Sequence, residues 1–101
     1  KIDFLIKIGY PVLKNDIDLT LSAIKLAKDF LGEKNVVELS YRMTAEDFAY
    51  YGQIVPSCFY RLGVANKKFG ITHGLHTSRF NIDEEALKVG VGLMTYLALK
   101  Y

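Results

Sequence analysis

Apolar and polar positions alternate from Lys1 to Ile8. Ile2, Phe4, Ile6 and Ile8 share one face, with Lys1, Asp3, Leu5 and Lys7 opposite. A period of two with β-branched and aromatic residues predicts a half-buried strand, ended by Gly9-Tyr10-Pro11 because proline cannot donate to a ladder. The period then changes. Ile17, Leu21, Ile24, Ala27 and Leu31 recur at intervals of three and four, which predicts a helix over Asp16–Leu31 packed on one side. Asn15 or Asp16 is placed to cap it and Gly32 to stop it.

Val36–Leu39 reads as a short strand. Thr44 reads as the cap of a short helix with Glu46 and Asp47 in its first turn and Gly52 at its end. Cys58–Val64 reads as a buried strand, since Arg61 is its only clearly polar residue. Ala65–Asn81 has neither rhythm, holds both histidines, and is long for a loop in so small a chain. A last helix starts near Asp83, with Leu87, Val91, Met94, Ala98 and Tyr101 as its buried stripe. Gly90 and Gly92 within it call for close packing, because glycine costs a helix interior roughly 1 kcal/mol relative to alanine. The predicted fold class is α/β, a small sheet covered by helices.

The 101 residues suit one compact domain, and with half of them hydrophobic and 24% charged the chain reads as globular rather than disordered. Thirteen basic against eleven acidic residues give +2, too little to imply nucleic acid or anionic lipid as a partner. One cysteine, Cys58, forms no internal disulfide and requires no oxidising compartment; it reads as a buried, inert thiol. No apolar stretch approaches the roughly 20 residues of a bilayer span, so the expectation is a cytoplasmic protein. Lys1 already lies inside a strand-like pattern, which reads either as tag removal or as a piece of something longer.

The chemistry-bearing cluster is His73-Gly74-Leu75-His76. Imidazole is a usual zinc ligand, but a zinc site takes three or four protein ligands, and two loop histidines also suit ordinary surface roles. Glu46 and Asp47 are adjacent, so on a helix they point apart and suit the dipole better than a two-carboxylate catalytic pair. Tyr41, Tyr50, Tyr51 and Tyr60 either line a pocket or pack in the core. No glycine-rich phosphate loop and no nucleophile elbow occurs.

Four stretches in order carry a resemblance. Gly9–Asp16 resembles a "YP-x-x-x-N-D" junction, Met43–Phe48 an "M-x-x-E-D-F" segment, Pro56–Gly63 a "P-G-x-F-x-x-L-G" segment, and Leu75–Glu84 an "L-H-S-P-x-F-x-x-D-E" segment. All four resemble the zinc amidohydrolases related to aminoacylase and carboxypeptidase G. The branch they resemble includes hippurate hydrolase, indole-acetyl-amino-acid hydrolases and N-acetyl-diaminopimelate deacetylase. The resemblance implies the C-terminal part of a zinc-peptidase-like catalytic domain over residues 13–101, with residues 1–12 the final strand of an inserted lid or dimerisation domain. It implies cleavage of an amide in N-acyl amino acids or small peptides, by water activated on two divalent metals, with a glutamate as base. His76, in the "L-H" position, would be a metal ligand. His73 and Gly63 would line the substrate pocket, and Glu46 and Asp47 would lie near the site without a defined role. The bridging ligands and the catalytic glutamate belong to the family's N-terminal half, so this chain would supply one ligand, no catalytic residue and no activity alone. A homodimer through the lid domain is implied as well. Ser57 replaces a usual glycine and Thr77-Ser78 a usual Ser-Pro, which would loosen the loop that aims His76. The alternative reading is a free-standing, non-catalytic α/β module with a binding role.

Overall fold

A computed structural model describes all residues, Lys1–Tyr101. Two α-helices form its body, α1 (Ile17–Leu31) and α2 (Glu85–Lys100). Short 3-10 turns at Glu33–Asn35, Asp47–Gln53 and Lys67–Phe69 punctuate the extended chain between them. The expected sheet is absent. Lys1–Ile8, Val36–Leu39 and Cys58–Val64 enter no ladder, and the one β-bridge joins Asn66 to Ile71, antiparallel and isolated.

The physical reason lies in how each element satisfies its backbone. A helix closes its hydrogen bonds within itself, whereas a strand needs a neighbour. Lys1–Ile8 takes part in no backbone hydrogen bond, and every one of its residues is exposed, up to Ile8 at 98%. Backbone–backbone bonds number 43, where a compact chain of this length carries about 70. The molecule is correspondingly spread, 60 × 36 × 19 Å with a Cα radius of gyration of 17.2 Å, against about 13 Å for a compact domain of this size.

The start of α1 is closely specified. Asp16 is extended at the cap, and its carboxylate accepts from the Leu19 amide at 2.9 Å. Gly32 ends the helix at φ 84°, ψ 147°, backbone that side-chain-bearing residues rarely adopt. The predicted stripe fares differently. Ile17 and Leu21 stay 67% and 62% exposed, because no sheet lies beneath them. On α2 the covered face is Ala86, Gly90, Leu93 and Leu97, while Leu87, Val91 and Met94 of the predicted stripe face out. A helix apolar on both sides is one made for burial on both.

Packing centres on two residues, Ala49 at 2% and Leu93 at 4% exposure. The α2 glycines sit where neighbours press closest: a Cβ on Gly92 would lie 2.9 Å from Phe30 Cζ, and one on Gly90 2.9 Å from Leu62 Cδ2. Phe30 then packs on Tyr96, ring centroids 5.2 Å apart. Phe48 bridges to Phe59 and Tyr51, centroids 5.4 and 5.5 Å away, and Tyr10 meets Tyr50 at 5.7 Å, so Tyr50 and Tyr51 pack on other rings, whereas Tyr41 and Tyr60 line a groove beside Leu62 and Gly63. Tyr41 is fully exposed.

Candidate functional site

The histidine loop is built on a clamp. Asn66 and Ile71 exchange backbone bonds at 2.8 and 2.9 Å, closing a tight turn that Gly70 completes at φ 71°. The Asn66 carboxamide accepts from the Lys68 amide through its oxygen and donates to the Asp83 carboxylate through its nitrogen. Asp83 in turn donates its amide to the Val64 carbonyl at 2.9 Å, and its carboxylate accepts from the Glu85 amide, the first of α2, at 3.1 Å. The two ends of the loop are thus tied to one another and to the start of α2.

At the loop's far end His76 stands at φ 64°, the only residue other than glycine in the left-handed region. Histidine tolerates this region better than most residues, yet such backbone persists only where its surroundings over-determine it. The Thr77 hydroxyl donates to the Gly74 carbonyl at 2.9 Å, and the Phe80 amide donates to the Thr77 carbonyl at 3.1 Å. Thr77 therefore braces the turn that the loss of proline was expected to loosen.

His73 and His76 are both exposed, and neither imidazole has a hydrogen-bond partner in the chain. No three histidine, cysteine, aspartate or glutamate side chains come together as a metal site. The donor set fits one ligand of a larger site: His76 offers an unencumbered imidazole, and nothing within Lys1–Tyr101 closes a coordination sphere around it.

The acidic pair divides its work. Glu46, not Thr44, caps the Asp47–Gln53 turn, its carboxylate accepting from the Phe48 amide at 3.3 Å, and Asp47 is exposed in the first turn. Gly63 has open space where a Cβ would project and faces a groove of about 820 Å³ shared with Leu62, Leu93 and the segment after α1. Cys58 is half-buried, with the Asn15 amide 3.9 Å from its sulfur. Beside it, burial first and Cys58 second push the Tyr60 phenol above its ordinary value; its hydroxyl lies 3.8 Å from Met94 Sδ.

Two carboxamides organise the molecule: Asn66, which the sequence did not single out, and Asn15, which read as a cap but instead ties to Phe59 while Asp16 caps α1. Asn15 accepts from the Phe59 amide and donates to the Phe59 carbonyl, both at 2.9 Å, while the Asp16 amide donates to the Ser57 carbonyl at 2.9 Å. Asn15 carried a signal as a cap candidate and as part of the Gly9–Asp16 motif, but its bond to Phe59 did not, and Asn66 carried none beyond an asparagine at a turn.

Comparison with known proteins agrees with the four motif stretches. A hydrolase named IAA-amino acid hydrolase ILR1-like 6, from Arabidopsis thaliana, is 37% identical over 93 residues, covering 91% of this chain and 20% of the relative. Thermostable carboxypeptidase 2 of Saccharolobus solfataricus is 33% identical over 92 residues, 91% of this chain and 23% of the relative. The putative amidohydrolase YhaA of Bacillus subtilis is 30% identical over 93 residues, 92% of this chain and 24% of the relative. The chain thus spans about a fifth to a quarter of the length of these curated relatives. No solved structure matches it. Residues 1–100 match the Peptidase family M20/M25/M40, and the chain belongs to that family.

Proposed function

We propose that this chain is the C-terminal portion of a metal-dependent amidohydrolase that cleaves the amide bond of N-acyl amino acids or small peptides, and that His76 is one of its metal ligands. The observation that carries the reading is the family match over residues 1–100, with relatives named as hydrolases of amino-acid conjugates and as carboxypeptidases. Peptidases of this family are generally metal-dependent, often on zinc. Both imidazoles are exposed and free of partners, and the left-handed backbone that only His76 adopts, φ 64°, supports the choice of His76 over His73.

Residues 1–12 belong to the lid domain, through which two copies associate, and residues 13–101 to the catalytic domain. A bound divalent ion, zinc in this proposal, supplies Lewis acidity and an activated water. The chain's own part is narrower. His76 presents one imidazole, His73 and Gly63 line the substrate pocket, and Glu46 and Asp47 lie beside it. The enzyme acts in the cytoplasm. The exposed apolar residues of α1 and α2, among them Ile17, Leu21, Leu87 and Val91, suit faces covered by the rest of a larger catalytic domain.

The test is hydrolysis of N-acyl amino acids by the full-length polypeptide that carries this chain. Free amino acid is released in the presence of divalent metal; His76→Ala lowers the rate about 100-fold or more and strips metal, and His73→Ala costs less. No hydrolysis across a panel of acyl groups overturns the reading. Equal losses for the two variants overturn the assignment of His76 over His73. The 101-residue chain alone is inactive and binds zinc weakly; tight stoichiometric zinc there would point back to a histidine-pair site.

A further inference from the structure

We propose that Asn66 and Asp83 form a positioning pair that holds the left-handed turn at His76 in its metal-binding orientation; the inference rests on His76 being a ligand, as proposed above. The loop between them has few other constraints. Residues 72–81 are all exposed, and the turn's own bonds, Thr77 to Gly74 and Phe80 to Thr77, fix its shape but not its direction relative to the body. Direction comes from the base. There one carboxamide is used at both ends, its oxygen by the Lys68 amide and its nitrogen by Asp83. Asp83 is itself pinned on two sides, by its amide to Val64 and by its carboxylate to the Glu85 amide at the start of α2.

The helix end therefore holds the loop base by one backbone bond, Asp83 to Val64, and one charge-assisted side-chain bond, Asn66 to Asp83, and charge-assisted bonds are about twice as strong as neutral ones. Neither side chain touches the imidazole, so both act through the backbone. Partners hydrogen-bonded directly to a metal ligand typically contribute about 10–100-fold in metal affinity, and that range is the ceiling for a pair that acts through the backbone.

The experiment uses the full-length polypeptide and zinc alone as probe, reading the zinc dissociation constant by chelator competition alongside the unfolding midpoint. Asn66→Asp sets two carboxylates against each other and weakens zinc binding, by up to about 100-fold. Combining Asn66→Asp with Asp83→Asn restores the pair with donor and acceptor exchanged and returns affinity to within a few-fold. Asn66→Ala, which introduces no repulsion, weakens zinc in the same direction. Asn15→Ala is the control: it removes two hydrogen bonds elsewhere, lowers the unfolding midpoint and leaves zinc affinity unchanged.

The pair is overturned if His76→Ala weakens zinc while Asn66→Asp does not. It is also overturned if Asn15→Ala weakens zinc as much as Asn66→Asp, since that makes the effect general destabilisation. Unchanged zinc affinity in His76→Ala removes the ligand itself, and with it the pair, a failure distinct from the other two.

Discussion

The junction of Asn15 with Phe59 and the arm Lys1–Ile8 are both extended chain with apolar residues at hand, yet they differ completely in how they are held. Phe59 exchanges two hydrogen bonds with the Asn15 side chain, which stands in for a neighbouring strand. The arm has no such neighbour and keeps every residue in solvent. Apolar character alone therefore does not decide what folds. What decides is whether an element can close its own backbone or find a partner that does. The helices manage the first, the Phe59 segment the second, and the arm neither.

The largest expected effect falls on the packed side. Leu93→Ala opens the contact between α2 and its neighbours and costs about 2–3 kcal/mol, the low end of the usual range because so thin a layer can collapse around the gap. In a chain with two buried residues, that loss shows in circular dichroism as the disappearance of cooperative helix unfolding. Asn15→Ala comes next, at about 2 kcal/mol, because the Phe59 amide and carbonyl both lose their partner in half-buried surroundings. Urea denaturation of wild type and variant measures it, and an unchanged midpoint would place the junction with the arm.

Alkali gives a smaller effect. The Tyr96 hydroxyl donates to the Asp29 carboxylate across the two helices, and this bond first, then burial and the carboxylate's charge, raises its pKa. Burial and Cys58 raise that of Tyr60. A folded-state pKa above the unfolded one means stability fully present below about pH 10 and lost as pH rises through the folded values. Thermal unfolding across pH 9–12 shows the loss, and Tyr96→Phe flattens part of it. Smallest of all is Ile6→Thr, predicted to change the stability of the isolated chain by less than about 0.5 kcal/mol, since the arm touches nothing there. A cost of 1 kcal/mol or more would mean that the arm is docked.

Elements that are local were legible in the sequence. The periodicity, Asp16 and Gly32 place α1 within a residue of its observed span, whereas α2 starts at Glu85 with Glu84, not Asp83, at its cap position, although the Asp83 carboxylate accepts from the Glu85 amide. Elements that depend on a partner were not. Three alternating or apolar segments read as strands, because the pattern records which face wants burial and not whether anything covers it. The same gap explains the helix stripes: Ile17 and Leu21 have the spacing of a buried face and lie in water. Of the candidate site, the family was legible from motifs. The Asn66–Asp83 clamp spans 17 residues and was not, since no local pattern announces a bond between side chains that far apart.

This chain is an open layer whose helices close their own backbone and whose extended segments do not. Small-angle X-ray scattering of the 101-residue chain, extrapolated to infinite dilution, tests it most directly. The expected radius of gyration is near the 17.2 Å of the structure. A value near 13 Å, that of a compact domain of this length, would contradict it by showing that the extended segments find partners within the chain itself.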